Sequence, residues 1–368
     1  DRLSDIDVLR SDPGLLDILM MEGFPRPATI GDLARKFSRR DIHCLAEVVM
    51  KLASRMIRAS GQKEVVLDID SSLVASEVAI AEKTYEGYRG FNPLLGILKG
   101  GGMSMAAFSV FRLGNASPQS HNLSLLRKIS SYLRKHNPGV KLLVRMDSAG
   151  YNHQVMGYCD RWGHEFVIAG DEYECILEII KGIEEKDWEA LEGGREGEEV
   201  AEGVHFVGPE RKGAAYRFVV VRRRKEQLAL FPEFGYTYRI YFTNTDWSKS
   251  KVVHFYRDRG DAENVIKEEK EGYAAENILS EDFLANAAFF QMQLLAYNLV
   301  QYFKYAHLKK SWWALRIKQL RYRLINIAGV VVNHARKTIL RLSVHYKYFE
   351  TFRQIYHLLC VRRVELRI

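Results

Sequence analysis

Hydrophobic and polar residues follow two different periods along the chain, and the period changes near residue 60. Up to that point apolar residues recur at helical spacing, which predicts a helical region over 1–60. Over 61–170, short runs rich in β-branched residues alternate with helical patterns, which predicts an α/β sheet flanked by helices. The strands expected there are Glu64–Asp70, Ser104–Arg112, Lys141–Asp147 and Glu165–Ala169.

The second half of the chain changes pattern twice more. Residues 171–247 predict an acidic helix and loop followed by three β-rich runs, together an insertion into the α/β region. Helical spacing then returns, which predicts the last helices of the α/β core over 248–305 and a basic helical region over 306–368. The helices expected in these two regions are Lys249–Glu271, Ser280–Lys304, Ser311–Ile325, Ile327–Leu342 and Tyr348–Leu359.

Composition places the chain among soluble globular proteins. The 368 residues are 47% hydrophobic and 27% charged, enough for two or three domains with a large core. The four cysteines are scattered without CxxC spacing, so we expect no zinc site and a cytoplasmic location. Residue 1 is Asp rather than Met, which leaves room for a further N-terminal segment.

Charge is unevenly distributed around a net of +8. Residues 301–368 hold 15 Lys and Arg against 2 Asp and Glu, a net of +13, whereas 171–202 hold 13 acids against 3 bases, a net of −10. The C-terminal excess indicates a polyanionic partner, most simply nucleic acid. A basic helical bundle with solvated side chains is the alternative.

Tyr256, Arg259, Glu263 and Lys270 follow one another at intervals of 3, 4 and 7 residues. On a single helix all four lie within about 60° of Tyr256, so one face carries a phenol and a carboxylate between two cations. Such a face suits a site that holds a metal and a phosphate. The alternative is a solvated face with charge pairs between neighbouring turns.

Two of the predicted strands end in acids. Asp68 and Asp70 alternate onto one face at the end of the first strand, and Asp147 ends a later one. In open α/β sheets, functional sites are built at strand ends. A single acid there is more often a turn or cap residue, but two of them together with Glu263 favour a site.

These residues carry a resemblance to a known family. The chain resembles the DDE transposases of bacterial insertion sequences, in the class marked by Y-x2-R-x3-E-x6-K, which Tyr256 to Lys270 match without a gap. The run DSS at 70–72 resembles the first-Asp motif, with Ser72 where Thr is commoner, and RMDSAGY at 145–151 resembles the second. The resemblance extends from about residue 5 to 360 and includes FRLGNASPQSHN at 111–122.

The resemblance implies an RNase H-like mixed sheet of five strands, with a β-rich insertion between the second Asp and the Glu. Asp70, Asp147 and Glu263 are then the catalytic carboxylates and hold two Mg2+ ions, for which Mn2+ substitutes. Asp68 is a competing carboxylate, and the choice of Asp70 rests on the motif. Tyr256, Arg259 and Lys270 are expected to contact DNA phosphates.

The activity implied is a magnesium-dependent endonuclease and strand-transfer reaction in DNA transposition and recombination. The partners implied are double-stranded DNA, as transposon ends and target, and a second copy of the chain in a synaptic complex; no membrane is involved. We expect a nucleoid-associated location. Trp188 and Trp247 are candidates to hold a flipped base, although a core role is the commoner one for a tryptophan.

Two alternatives remain open from the sequence. An RNase H-like nuclease that cuts without joining uses the same carboxylates. A domesticated DNA-binding protein with an inactive site is the other, although all three acids are present.

Overall fold

The five long strands of the α/β region, between residues 64 and 170, belong to one continuous sheet. The computed structural model describes residues 2–209, 213–224, 235–334, 337–343 and 346–365. The strands in this part of the chain are β1 (Glu64–Ser71), β2 (Val74–Ala75), β3 (Glu82–Lys83), β4 (Arg89–Phe91), β5 (Leu94–Gly100), β6 (Met103–Val110), β7 (Lys141–Met146), β8 (Glu165–Gly170), β9 (Glu189–Ala190), β10 (Glu198–Val207), β11 (Ala214–Arg224), β12 (Tyr236–Thr243), β13 (Gly329–His334) and β14 (Lys337–Leu342). The helices are α1 (Ile6–Arg10), α2 (Pro13–Leu19), α3 (Pro27–Arg35), α4 (Arg39–Ser60), α5 (Asn122–His136), α6 (His153–Trp162), α7 (Glu174–Lys181), α8 (Lys249–Arg257), α9 (Gly260–Tyr273), α10 (Phe283–His307), α11 (Ile317–Leu324) and α12 (Phe349–Glu365).

The large sheet has the strand order β6-β5-β1-β7-β8-β12-β11-β10-β9. β7 is parallel to both β1 and β8, and the remaining pairs are antiparallel. The first five strands in this order form the mixed sheet of the expected RNase H-like core, so the predicted fold class is confirmed. The β-rich insertion does not form a separate sheet, because β12 pairs with β8 and continues the core sheet.

Local sequence explains most of these strands. Every residue of β7 after Lys141 is buried, as expected of a strand with neighbours on both sides and apolar residues at nearly every position. β5 is missing from the sequence prediction, which assigned the chain up to residue 94 to a loop. Its first five residues, LLGIL, are all buried, and such a short apolar run lacks the alternation that distinguishes a strand from a helix segment.

The chain folds as two compact units. The sheet unit comprises Ala53–Leu73 and Glu82–Val265, and the helical unit comprises Asp1–Leu52, Val74–Ala81 and Ile266–Ile368. The helices α4 and α9 therefore each contribute residues to both units. The five-region division expected from the sequence stays a prediction.

α10 is the central helix of the helical unit. Ala285 and Phe289 of α10 pack with Ala34 of α3, and Asp282 caps the helix by accepting a hydrogen bond from the Ala285 amide at 2.8 Å. By length and composition α10 could cross a membrane, with a mean hydropathy of 1.2 over its most apolar 18 residues. Half of that stretch is buried inside the protein, which is the usual state of a core helix.

The helix predicted over Ile327–Leu342 is wrong. These residues form the antiparallel pair β13 and β14, in which Val331 lies opposite Leu340. Three consecutive valines in β13 explain the difference, since β-branched side chains lose rotamer freedom in a helix and pack well on a pleated strand. The preceding helix is also shorter than predicted, because α11 begins only at Ile317.

Candidate active site

Strands β1 and β7 place two predicted acids at the same edge of the sheet. The two strands are parallel, and their register pairs Ile69 with Met146, so Asp70 and Asp147 occupy the next position on each. Asp70 accepts a hydrogen bond from the Ser71 amide at 2.9 Å. Asp147 caps a short 3-10 helix, Ser148–Gly150, by accepting from the Ala149 amide at 3.1 Å. The parallel arrangement of β1 and β7 is what brings the two predicted acids to neighbouring positions.

The Tyr256 to Lys270 motif lies on two helices, not on one as predicted. α8 ends at Arg257, α9 begins at Gly260, and Arg259 lies in the turn between them. The Arg259 amide donates to the carbonyl oxygen of Tyr256, three residues earlier, which closes the α8 end. Because the helix is broken, the common face expected from a continuous period of 3.6 residues does not exist.

The break lets Arg259 reach three carboxylates. Its Nη2 atom lies 2.8 Å from Oδ2 of Asp70 and 3.7 Å from Oδ2 of Asp147. Its Nη1 atom donates a hydrogen bond of 3.3 Å to Oε1 of Glu263, in the first turn of α9. The three acids predicted to form the site therefore meet at one guanidinium group.

Burial and neighbouring charges set the ionisation of this cluster. Burial raises the pKa of Asp70 to about 6, opposed by the charge of Arg259 and reinforced by that of Asp147. Burial likewise raises the pKa of Asp147, again against Arg259. For Arg259, burial lowers the pKa, but the charge of Asp70 together with Tyr256 and Asp147 outweighs it, so the net change is upward. The carboxylates are short of positive charge, and the guanidinium remains charged.

The three carboxylates offer the oxygen ligands that Mg2+ prefers. Among the side chains that the structure describes, however, no three Asp, Glu, His or Cys residues already have the arrangement of a metal centre. Arg259 supplies the positive charge that these acids share. Donor chemistry and the raised carboxyl pKa values therefore fit a divalent cation, whereas the present side-chain arrangement favours the guanidinium.

The remaining predicted residues lie on α8 and α9. The Tyr256 ring packs 4.6 Å from that of Tyr241, and burial raises the pKa of its phenol to about 12. The hydroxyl therefore stays protonated at neutral pH and can donate a hydrogen bond. Lys270 lies in the last turn of α9.

Trp188 and Trp247 differ in their surroundings. Trp188 is buried, with the Arg222 guanidinium 4.1 Å from its ring centroid. Trp247 is partly buried and packs edge-to-face against Phe255 at 5.1 Å. Both positions accord with the packing role that was the commoner expectation.

Two polar side chains that support this edge of the sheet stand inside the quoted motifs but were given no role from the sequence. Arg145 is buried and pairs with Asp68, which leaves Asp70 as the β1 acid that contacts Arg259. Asn122, the first residue of α5, donates a hydrogen bond of 2.9 Å to the Ala149 carbonyl oxygen beside Asp147. The motif RMDSAGY begins with Arg145 and the stretch FRLGNASPQSHN ends with Asn122, so both motifs were the available indication.

Comparison with known proteins identifies the family. Residues 1–363 match the family described as Transposase DDE domain group 1. The chain therefore belongs to this family of transposases, and the resemblance expected from the motifs is confirmed. No curated protein sequence matches the chain.

Two solved transposase structures are similar to parts of the chain. A piggyBac transposase synaptic complex with hairpin DNA is 12% identical with a TM-score of 0.37, covering 70% of this chain and 51% of that one. The Drosophila P element transposase strand transfer complex is 15% identical with a TM-score of 0.21, covering 52% and 45%. The chain thus spans about half the length of these solved transposases.

Proposed function

We propose that this transposase cleaves DNA at the ends of an insertion sequence and joins the freed 3′-OH to target DNA. Asp70, Asp147 and Glu263 are assigned as the metal-binding, catalytic carboxylates. The observation that carries the assignment is their convergence on Arg259, with contacts of 2.8, 3.7 and 3.3 Å. Acids from two strands and a helix do not converge in this way unless their charges serve a shared ligand or a shared ion pair.

Divalent metal ions, two Mg2+ or two Mn2+, would supply the positive charge that polarises the phosphodiester and stabilises the leaving oxygen. The side chains contribute the rest. Asp70 is mostly buried, so its carboxylate is held in one place by β1, whereas Glu263 is 65% exposed and can adjust its position from α9. To admit a cation, Arg259 must give up at least one carboxylate and becomes available to bind a DNA phosphate.

Two other motif residues are assigned to the DNA backbone. Tyr256 is protonated at neutral pH and remains so in alkaline solution, since burial raises its pKa from 10 to about 12, and it serves as a hydrogen-bond donor to a phosphate oxygen. Lys270 provides a second cation for the phosphate backbone.

The partners we propose are double-stranded DNA, both transposon ends and target, and a second copy of the chain when two ends are paired. Support for DNA comes from the net charge of +13 over residues 301–368. This charge gives affinity for phosphates without sequence specificity, so recognition of the ends requires other contacts.

The test is incubation of the chain with Mg2+ or Mn2+ and linear DNA ending in the inverted repeats of its element. Nicking at the ends followed by joining to a target plasmid is the expected result. Nicking without joining would instead support an RNase H-like nuclease, and DNA binding without cleavage would support a domesticated binding protein.

Matched substitutions on α9 test the site itself. Glu263→Gln is expected to abolish cleavage while DNA affinity is retained. Glu271→Gln removes a carboxylate from the same helix that pairs with Lys267, at 3.7 Å, and is expected to cleave normally. Full cleavage by Glu263→Gln would show that the site is misassigned.

A further inference from the structure

Arg145 and Asp68 form a buried ion pair beneath the candidate site. Their side chains are 2% and 0% exposed, and the two residues lie directly opposite each other on β7 and β1. Arg145 donates from Nε to Oδ1 of Asp68 at 2.6 Å and from Nη2 to Oδ2 at 2.9 Å. Lys99 on β5 also lies 3.1 Å from Asp68. A bidentate pair of this kind fixes the direction of the guanidinium plane.

The third nitrogen of the same guanidinium binds α8. Nη1 of Arg145 donates to the carbonyl oxygen of Phe255, and the group lies 5.0 Å from the Phe255 ring centroid. The Phe255 carbonyl lies in the last turn of α8, where carbonyl oxygens lose their helical partners. The Arg259 amide, which would bind it in a continuing helix, donates to Tyr256 instead. Arg145 therefore satisfies a carbonyl group that the break between α8 and α9 leaves open.

One buried group thus touches all three segments that carry the site. Asp68 lies two residues before Asp70, and Arg145 lies two residues before Asp147. Phe255 immediately precedes Tyr256 and lies four residues before Arg259.

We propose that Arg145, oriented by Asp68, is a positioning residue that holds the end of α8, and with it Arg259, at the carboxylates of β1 and β7. This inference rests on the proposed function for its catalytic consequence. Because Arg145 is buried, it acts through Arg259 and the carboxylates without touching DNA. A lysine has the charge of Arg145 but one nitrogen, so it cannot bind Asp68 and the Phe255 carbonyl in the same fixed plane.

Hydrogen exchange of the full chain, followed by mass spectrometry, tests the positioning role independently of activity. In Arg145→Lys, amides of residues 252–259 are expected to exchange at least about tenfold faster than in the unsubstituted chain, with β10 and β11 unchanged. Arg222→Lys is the matched control, because Arg222 is also buried and bidentate, to Glu185, but lies on β11. It is expected to loosen the insertion strands and leave residues 252–259 unchanged.

Activity measured on the same variants tests the consequence. Arg145→Lys is expected to reduce the cleavage rate at saturating DNA by at least about tenfold while DNA affinity stays within about twofold, whereas Arg222→Lys keeps the rate. Unchanged exchange at 252–259 in Arg145→Lys, or equal loosening by both variants, would overturn the positioning role. An inactive unsubstituted chain would overturn the proposed function instead, and the exchange result would still decide the role of Arg145.

Discussion

Arg259 is the residue on which the charges of the site depend. Its guanidinium is the cation within 4 Å of Asp70, Asp147 and Glu263 alike. Two of these carboxylates have raised pKa values because they are buried. A second cation and Arg259 are therefore expected to act as alternatives for the same negative charge.

Arg259→Ala is expected to lower the free energy of unfolding by about 1–3 kcal/mol without metal, because buried carboxylates lose their partner. Added Mn2+ is expected to raise the melting temperature of this variant more than that of the unsubstituted chain. Thermal unfolding followed by circular dichroism, with and without Mn2+, measures both effects. Arg217→Ala is the control, since Arg217 pairs with Glu202 on the insertion. An equal response of the two variants to Mn2+ would contradict the view that Arg259 and a metal ion are alternatives at the carboxylates.

As a proposed metal ligand, Asp70 is expected to make metal binding dependent on pH. Its folded-state pKa of about 6 lies above the ordinary 3.8, so the proton that it keeps must leave before a cation binds. Apparent Mn2+ affinity is expected to fall as the pH drops through 6, by up to about tenfold per pH unit. Titration followed by electron paramagnetic resonance on both sides of this pH measures it, and Asp70→Asn should bind weakly with a smaller pH dependence.

Without metal, the raised pKa of Asp70 has the opposite effect on stability: a lower pH favours the folded state, whereas it weakens metal binding. Because the folded-state pKa of Asp70 is raised, its contribution favours the folded state at a pH below 3.8 and is lost as the pH rises through about 6.

His164 is a buried histidine whose protonation is expected to destabilise the fold in acid. Burial lowers the pKa of its imidazole from 6.5 to about 4, and Nε2 lies 2.7 Å from the Ser130 hydroxyl. The stability that the neutral ring contributes is complete above 6.5 and lost as the pH falls to about 4, by up to about 3 kcal/mol. Urea unfolding across this range should show a smaller acid loss in His164→Gln. His43→Gln, at an exposed position, should behave as the unsubstituted chain does.

At the scale of elements, the sequence predicted β1 and β7 but missed β5, assigned β13 and β14 to a helix, and missed the break between α8 and α9. β1 and β7 are recognisable because nearly continuous apolar runs end in acids. The break between α8 and α9 has one local indication, Gly260, because glycine disfavours a helix interior. Tertiary contacts accompany it: Arg259 pairs with Asp70, and Arg145 binds the Phe255 carbonyl. The Asp68–Arg145 pair was missed because it depends on the register between β1 and β7.

The 3-10 turn that Asp147 caps depends on a glycine. A Cβ atom at Gly150 would lie 2.5 Å from Cβ of Met146, so Gly150→Ala must displace the turn from the end of β7. We expect a loss of about 1–3 kcal/mol in unfolding free energy and reduced cleavage by the folded protein. Chemical denaturation and cleavage assays measure these effects.

Gly157→Ala provides the matched control for that substitution. Gly157 lies within α6, and an added Cβ would meet nothing within 4 Å. Because alanine favours a helix, this variant is expected to gain about 0.5–1 kcal/mol. Equal effects of the two substitutions would show that the Met146 contact is relieved without moving the turn.

At the scale of the whole molecule, the basic C-terminal region is the proposed source of backbone affinity. Lys310, Lys318 and Arg321 are exposed there. Replacing all three with Gln is expected to weaken binding equally for all DNA sequences and to reduce the slope of log affinity against log salt by up to about 3. Fluorescence anisotropy across a salt series measures this slope. Lys186→Gln, in the acidic segment, should leave it unchanged, and an unchanged slope in the triple variant would place the DNA elsewhere.

The mixed α/β fold and the choice of Asp70, Asp147 and Glu263 came from the motif resemblance and from local apolar runs that end in acids; the order of the core strands was not predicted. Nor was the attachment of the insertion, since pairing between β8 and β12 involves residues about 70 positions apart in sequence, and no local pattern encodes it.

The continuity of the nine-stranded sheet has a consequence for solubility. Without the insertion, β8 would be an edge strand with open backbone amides and carbonyls, and three of its residues are buried and apolar. With it, β8 pairs with β12, and the edge of the sheet lies three strands away at β10, where β9 pairs with two of the ten residues. The insertion therefore moves the open edge away from β1 and β7, so any edge-to-edge pairing with another chain is expected on the insertion and not beside the candidate site.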